Sequence, residues 1–275
     1  MRKITAPRHP WLAAYYWLLA FFLYLPIIFL LIFSFNDSPV LVFPLKGFTL
    51  RWYAGLWDAR ELIASVWNSL WLGLGSSLVA TILGTMAGIA ITRFDFPGKQ
   101  AFVGLSALPL VIPYVVLGVG LLILFDSLGI ELSLWTVGLG HVVINVPYVM
   151  LIVAARLAGF DPSLEEAAMD LGSNYWRTLR RVTLPITFPA LVSAFLMSFT
   201  TSFDEFALSF FLIGNETTLP VYLYSQLRFP SRLPLVVTLA AVIMVVSVLV
   251  VVFSEWLRRW GQPVDKASEI SSDRI

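Results

Sequence analysis

Long apolar runs alternate along the chain with short polar interruptions, and six runs read as membrane spans: about 11–35, 65–92, 101–125, 134–156, 186–213 and 234–257. A helix needs about 20 apolar residues to cross bilayer hydrocarbon. The first run follows Arg2, Lys3 and Arg8 and ends in Ser-Phe-Asn-Asp with no small-residue cleavage site. That pattern predicts an uncleaved first span. Trp11, Tyr15, Tyr16 and Trp17 at its inner end fit either an interfacial aromatic belt or packing. In the second run Ser76, Ala80, Gly84 and Gly88 recur at every fourth position, a face small enough for another helix to approach closely. The third run carries Pro109 and Pro113; each removes a backbone donor, so a bent helix near the pathway is expected. In the fourth, His141 and Asn145 share a face, as interhelical hydrogen-bonding groups or as pathway lining.

The longest polar island is DPSLEEAAMDLGSNYWRTLRRVTLP, Asp161–Pro185. Ser163 is expected as an N-cap, with Glu166 completing a capping box and a helix starting at Leu164. Glu165 and Glu166 suit the positive end of that helix, and Gly172 can supply the left-handed residue that stops it. Ser173 or Asn174 can cap a second short helix through Tyr175–Arg181 before Pro185 opens the next apolar run. Helix, glycine turn, helix is the expectation for this loop, outside the bilayer.

These residues carry a resemblance. Glu166-Ala167-Ala168, then Gly172, then Val182-Thr183-Leu184-Pro185 resembles the EAA loop of bacterial ABC importer permeases, with Val182 where that family commonly has Ile. The resemblance implies an all-α, polytopic type I ABC importer permease fold with about six transmembrane helices, one permease domain over 1–275, and a coupling loop at 157–185. It also implies that Glu165, Glu166, Ala167, Ala168, Asp170, Gly172, Leu184 and Pro185 belong to the surface that couples to a cytoplasmic ATPase. A narrower resemblance lies in SFNDS at Ser34–Ser38 and GFTLRWY at Gly47–Tyr53, similar to a loop of spermidine/putrescine-type permeases.

Composition narrows the classes. Of 275 residues, 59% are hydrophobic and 13% charged, and the mean hydropathy is +0.84, which defines an integral membrane protein. A net charge of +1 gives no basic excess for nucleic acid, and zero cysteines exclude thiol chemistry and Cys-ligated metal. His9 and His141 are the only histidines, so a His-rich metal site is excluded by inventory. HExxH, GxSxG and GxxxxGK[ST] are all absent. If transport here needs ATP, another chain must bind it; the family resemblance implies that ATP and Mg are bound by a partner ATPase, so no enzyme and no cofactor is expected in this chain. Lys and Arg gather in the proposed inner segments, among them Arg93, Lys99, Arg156, Arg177, Arg180, Arg181, Lys266 and Arg274. The positive-inside rule then places the coupling loop and both termini in the cytoplasm.

The fifth run holds two acids, Asp204 and Glu205, in its outer half. A carboxylate in hydrocarbon costs about 2.5–3.5 kcal/mol on the lenient insertion scale, so both must face protein or water. Ser198, Ser202, Glu205 and Ser209 fall on one helical face with Thr201 and Asp204 beside it. That stripe suits a cation pathway, or else acids that cap and pair with neighbouring helices. SFDEFALSFF at Ser202–Phe211 and TLPVYLYSQLR at Thr218–Arg228 resemble polyamine-type permeases, although Asp-Glu stands where Asp-Asp is commoner. The resemblance implies a pathway of Asp204, Glu205, Ser202, Ser198, Thr201, Asn145 and His141 for a polyamine, with an aminophosphonate or opine-like solute as the alternative. Implied partners are a second permease, expected to be a different chain, an ABC ATPase dimer, an extracytoplasmic substrate-binding protein and the bilayer of the bacterial inner membrane.

Overall fold

The computed structural model describes residues 10–260. Arg2, Lys3, Arg8, Lys266 and Arg274, which the orientation expectation uses, lie outside the described residues. The described chain is helical in this order: α1 Pro10–Phe33, α2 Arg51–Asp58, α3 Arg60–Arg93, α4 Lys99–Ala107, α5 Tyr114–Ser127, α6 Leu134–Ala158, α7 Ser163–Asp170, α8 Tyr175–Thr178, α9 Leu184–Asp204, α10 Ala207–Leu212, α11 Leu219–Gln226 and α12 Leu233–Trp260. Five segments are long and apolar enough to cross a membrane, and α4 with α5 makes a sixth as a broken span. The fold is that of a polytopic α-helical membrane protein.

The described residues divide into two compact units, 10–58 with 226–260, and 59–225. In the first, the loop after α1 closes on Asn36. Its side-chain oxygen accepts the Lys46 N–H at 3.0 Å, and its carbonyl accepts the Trp52 indole N–H at 3.0 Å. Arg51 pairs with Asp37 at 3.0 Å. The two sequence stretches SFNDS and GFTLRWY are thus held together by one buried amide and one ion pair.

In the second unit, α3 lies against α6 and α9. Ser76, Ala80, Gly84 and Gly88 are all buried, and the reason is distance. A Cβ at Gly84 would stand 2.5 Å from the Val149 Cβ and 2.9 Å from the Val146 carbonyl oxygen, and one at Gly88 3.0 Å from the Met150 carbonyl oxygen. Removing the side chains on α3 lets the α6 backbone itself come into contact, the close approach that favours helix association in lipid. Val149, Val153, Leu157 and Ala194 fill one end of this packing; Phe125, Val137, Ile144, Leu208 and Leu212 fill the other.

Two spans depart from the continuous helices expected from the sequence. The third, anticipated as one bent helix over 101–125, is two pieces meeting at 106°. A single 3-10 turn at Leu108–Leu110 contains Pro109, and Pro113 takes an extended ψ of 134° as the N-cap of α5. Two missing N–H groups one turn apart leave too few backbone bonds to hold a continuous helix. The fifth, anticipated through Ile213, ends at Asp204 and resumes at Ala207; Glu205 is responsible, as described below.

Because the Gly84 position faces backbone as well as side chain, Gly84→Ala is expected to lower thermal stability by about 1–3 kcal/mol through overpacking. Gly75→Ala, where a Cβ meets nothing within 4 Å, is expected to be neutral or slightly stabilising. Melting of the two variants in detergent checks this, and equal melting temperatures would refute the close-approach account.

Candidate functional site: a capped loop and a buried polar node

The loop between α6 and α9 is built on backbone caps. The expected capping box at Ser163 and Glu166 does not form. Helix α7 begins at Ser163 after Pro162, which already has helical angles. The cap role passes to Asp161, whose Oδ1 accepts the Ser163 N–H at 3.0 Å. That bond holds the Asp161 carboxyl below its ordinary pKa. Pro162 moves the helix start one residue earlier, which leaves the Ser163 hydroxyl inside the first turn.

Gly172 has a φ of +86°. Its N–H meets the Met169 carbonyl at 2.9 Å and the Ser173 N–H meets the Ala168 carbonyl at 3.0 Å, the Schellman arrangement that closes a helix with glycine. Asn174 Oδ1 then accepts the Arg177 N–H at 2.9 Å to cap α8, and a π-helical turn at Leu179–Thr183 leads into α9.

One side of this loop is tied down and the other is free. Glu165 Oε2 pairs with Arg93 Nε at 2.9 Å, with both side chains mostly shielded. Its Oε1 accepts the Thr183 hydroxyl at 2.6 Å. Arg93 also sits over Phe160, and Phe94 packs edge-on against Tyr175. Glu166, Ala167, Asp170, Leu171, Gly172 and Pro185 are exposed, while Ala168 and Leu184 are partly covered. The anchoring role of Arg93, and the contrast between Glu165 and Glu166, were not read from the sequence. The signal available was a basic residue at the end of a span beside a loop beginning with two glutamates.

Deeper in the bundle the structure gathers most of the proposed pathway residues into one polar node. His141 on α6 is fully buried. Its Nδ1 lies 2.5 Å from Ser202 Oγ, its Nε2 2.9 Å from Ser209 Oγ and 3.5 Å from Glu205 Oε2. Ser202 Oγ in turn lies 2.8 Å from Ser76 Oγ on α3. Glu205 is buried and caps α10: Oε1 accepts the Leu208 N–H at 2.7 Å, and Oε2 accepts the Ser209 N–H at 2.8 Å and its hydroxyl at 2.9 Å. These bonds replace the continuation of α9, which is why the span breaks there.

Asn145 donates to the His141 carbonyl at 2.9 Å, while its Oδ1 and the Ser198 hydroxyl are buried without a hydrogen-bond partner among the described residues. Asp204, next to Glu205 in sequence, is exposed, and Thr201 is half-buried. The expected pathway set therefore divides: Glu205, Ser202, Ser198, Asn145 and His141 lie inside the bundle, and Asp204 and Thr201 reach its surface. Ser209, which the sequence placed on the polar stripe, and Ser76, expected only on a packing face of α3, also join the node.

This helical arrangement is the permease fold of ABC transporters. A bacterial ABC transporter involved in the import of the acidic polysaccharide alginate matches with a TM-score of 0.67 at 17% identity, covering 91% of this chain and 95% of that one. The MetNI methionine ABC transporter matches with a TM-score of 0.59 at 19% identity, covering 75% and 98%. The chain belongs to the binding-protein-dependent transport system inner membrane component family, whose pattern matches residues 80–260. It is 34% identical over 239 residues to the spermidine/putrescine transport system permease protein PotC of Escherichia coli, covering 86% of this chain and 90% of the relative. The Haemophilus influenzae protein of the same name is 37% identical, covering 86% and 92%. The putrescine transport system permease protein PotI of Escherichia coli is 36% identical over 236 residues, covering 83% and 84%. These relatives are transport permeases, not enzymes, and the chain is a multi-pass inner membrane component of the same kind.

If Glu165 anchors α7, Glu165→Gln strands Arg93 and loosens the loop by about 1–3 kcal/mol, whereas Glu166→Gln leaves it in place. Hydrogen exchange of the 163–172 amides is expected to speed up roughly tenfold or more in the first variant only. Identical exchange in both would remove the anchor.

Proposed function

We propose that this chain is one of two permease subunits of an ATP-driven importer and forms half of the route for a small organic cation, a polyamine of the spermidine/putrescine type. The observation that carries the cargo class is Asp204, an exposed carboxylate at the end of a membrane span that makes no ion pair among the described residues. An acid left open there at a cost in hydration is suited to replacing the water lost by an ammonium group. The relatives' names agree, and they favour a polyamine over an aminophosphonate or opine-like solute.

The free side of α7 and the Leu171 that follows it, with Leu164, Glu166 and Leu171 exposed, is the surface that docks on a separate ATPase dimer, where ATP and Mg are bound. The Gly172 turn and the Arg93–Glu165 pair make the loop stiff enough to transmit a push into α3 and α9. An extracytoplasmic binding protein delivers the cargo, and a second, different permease chain supplies the other half of the route. Both termini and the 157–185 loop lie in the cytoplasm, supported by the Lys and Arg distribution.

Uptake assays of the complete transporter test both halves. Asp204→Asn is expected to raise the KM for spermidine by about ten- to hundredfold, the loss of one charge-assisted contact. Gly172→Val places a branched residue at positive φ, a strain of about 1–2 kcal/mol, and is expected to uncouple ATP hydrolysis from uptake. An unchanged KM in the first variant removes the polyamine route, and full coupling in the second removes the docking loop.

A further inference from the structure

The polar node can be counted in hydrogens. Five short polar pairs join end to end: Ser76 Oγ to the Leu72 carbonyl at 2.7 Å, Ser76 to Ser202 at 2.8 Å, Ser202 to His141 Nδ1 at 2.5 Å, His141 Nε2 to Ser209 at 2.9 Å, and Ser209 to Glu205 Oε2 at 2.9 Å. Each is short enough that two lone pairs facing each other would repel, so each needs a hydrogen between its atoms. The three hydroxyls supply one each.

Their directions are forced. The Leu72 carbonyl can only accept, so it takes the Ser76 hydrogen. Ser76 must then accept from Ser202, and Ser202 must accept from Nδ1–H. At the other end the Ser209 hydroxyl faces two acceptors, Glu205 Oε2 at 2.9 Å and the Glu205 carbonyl at 3.0 Å, and donation to either leaves Ser209 to accept from Nε2–H. With the carboxylate ionised, the chain closes only when both ring nitrogens carry hydrogen. A proton on Glu205 instead of the ring would have to sit on Oε2, the oxygen that already accepts the Ser209 amide, while Oε1 accepts that of Leu208. One amide hydrogen thus already points at each carboxylate oxygen, and an Oε2 hydrogen would face that of Ser209.

We propose that His141 is an imidazolium and Glu205 its buried counter-ion, so that the adjacent acids do different jobs: the His141–Glu205 pair is internally neutral and positions the end of α9, and Asp204 alone offers free negative charge to the cargo. The second clause rests on the polyamine reading above; the first does not. Among the described residues no Lys or Arg lies in ion-pair range of Glu205. The other ionisable groups near the node are Tyr114 on α5 and Tyr148 on α6, which bond to each other at 3.3 Å; α3 contributes only hydroxyls there. A paired charge is the form in which an ionisable residue is tolerated at membrane depth, and removing one member leaves the other uncompensated.

The chain has only two histidines, so His9→Gln leaves His141 as the sole imidazole. Nitrogen-15 NMR of that variant, labelled at histidine and reconstituted in bilayers, is expected to show two protonated ring nitrogens. One bare, pyridine-type nitrogen overturns the proposal. In spermidine uptake by the whole transporter, Glu205→Gln is expected to cut the maximal rate about tenfold while KM stays within about twofold. Adding His141→Gln should recover part of that loss, because it removes the stranded cation. A KM increase in Glu205→Gln equal to that of Asp204→Asn, with no recovery in the double variant, overturns the division of roles. Two protonated nitrogens together with an unmoved KM in Asp204→Asn would uphold the buried pair and sink the polyamine route.

Discussion

A carboxylate inside a helical membrane protein has no water to turn to, and the position of Glu205 is the constraint on which much of the second unit depends. Its two oxygens need donors, and the nearest are the amides of Leu208 and Ser209. Taking them means that α9 stops and α10 starts anew, with Glu205 itself extended at φ −71°, ψ 119°. The same carboxylate draws in His141, and through His141 and Ser202 the bonds reach Ser76 on α3. One desolvated group thus fixes four helices relative to one another. Hydrogen bonds do this better than apolar packing in a bilayer, where lipid tails compete with Leu and Val on equal terms.

Helix α3 carries both features of the site. Ser76 sits in the polar node and Arg93, at its last turn, holds Glu165 of the loop. Seventeen residues of helix separate them, about 26 Å at 1.5 Å per residue. Between the two, Ala80, Gly84 and Gly88 press against the α6 backbone. A helix seated this closely resists local bending, which would break its backbone packing on α6; under the proposed coupling role a displacement of the loop would pass along α3 as a rigid body. That is a mechanical route of coupling that requires no chain of side-chain switches.

Much of this was legible in the sequence, and the reasons are specific. The spans followed from hydropathy, because backbone bonds must be satisfied within the segment. The four-residue repeat of small side chains named the face of α3 that meets α6, and Gly172 was recognisable as a left-handed stop. The failures share one cause, that periodicity assumes an unbroken helix. Asp161 and Pro162 began α7 a residue early, Pro109 with Pro113 divided a span, and Glu205 redirected amides that a regular helix would have used. Local side-chain competition for backbone donors decides such points. The Arg93–Glu165 pair was hidden for a different reason, since 72 positions separate two residues that only the α3–α6 packing brings near.

The order of the acids follows from the same geometry. Once α9 ends, Asp204 still has helical angles while Glu205 is extended, so the two side chains leave the backbone in different directions and only one enters the bundle. The inward position calls for the longer acid. A cap formed by Asp usually reaches the second or third amide beyond it, whereas Glu205 takes the third and fourth, Leu208 and Ser209, and still brings Oε2 to 3.5 Å from His141. A second aspartate at 205 would be a methylene short of holding all three. The Asp-Glu order therefore matches a structure in which the first acid remains open and the second is consumed by the fold.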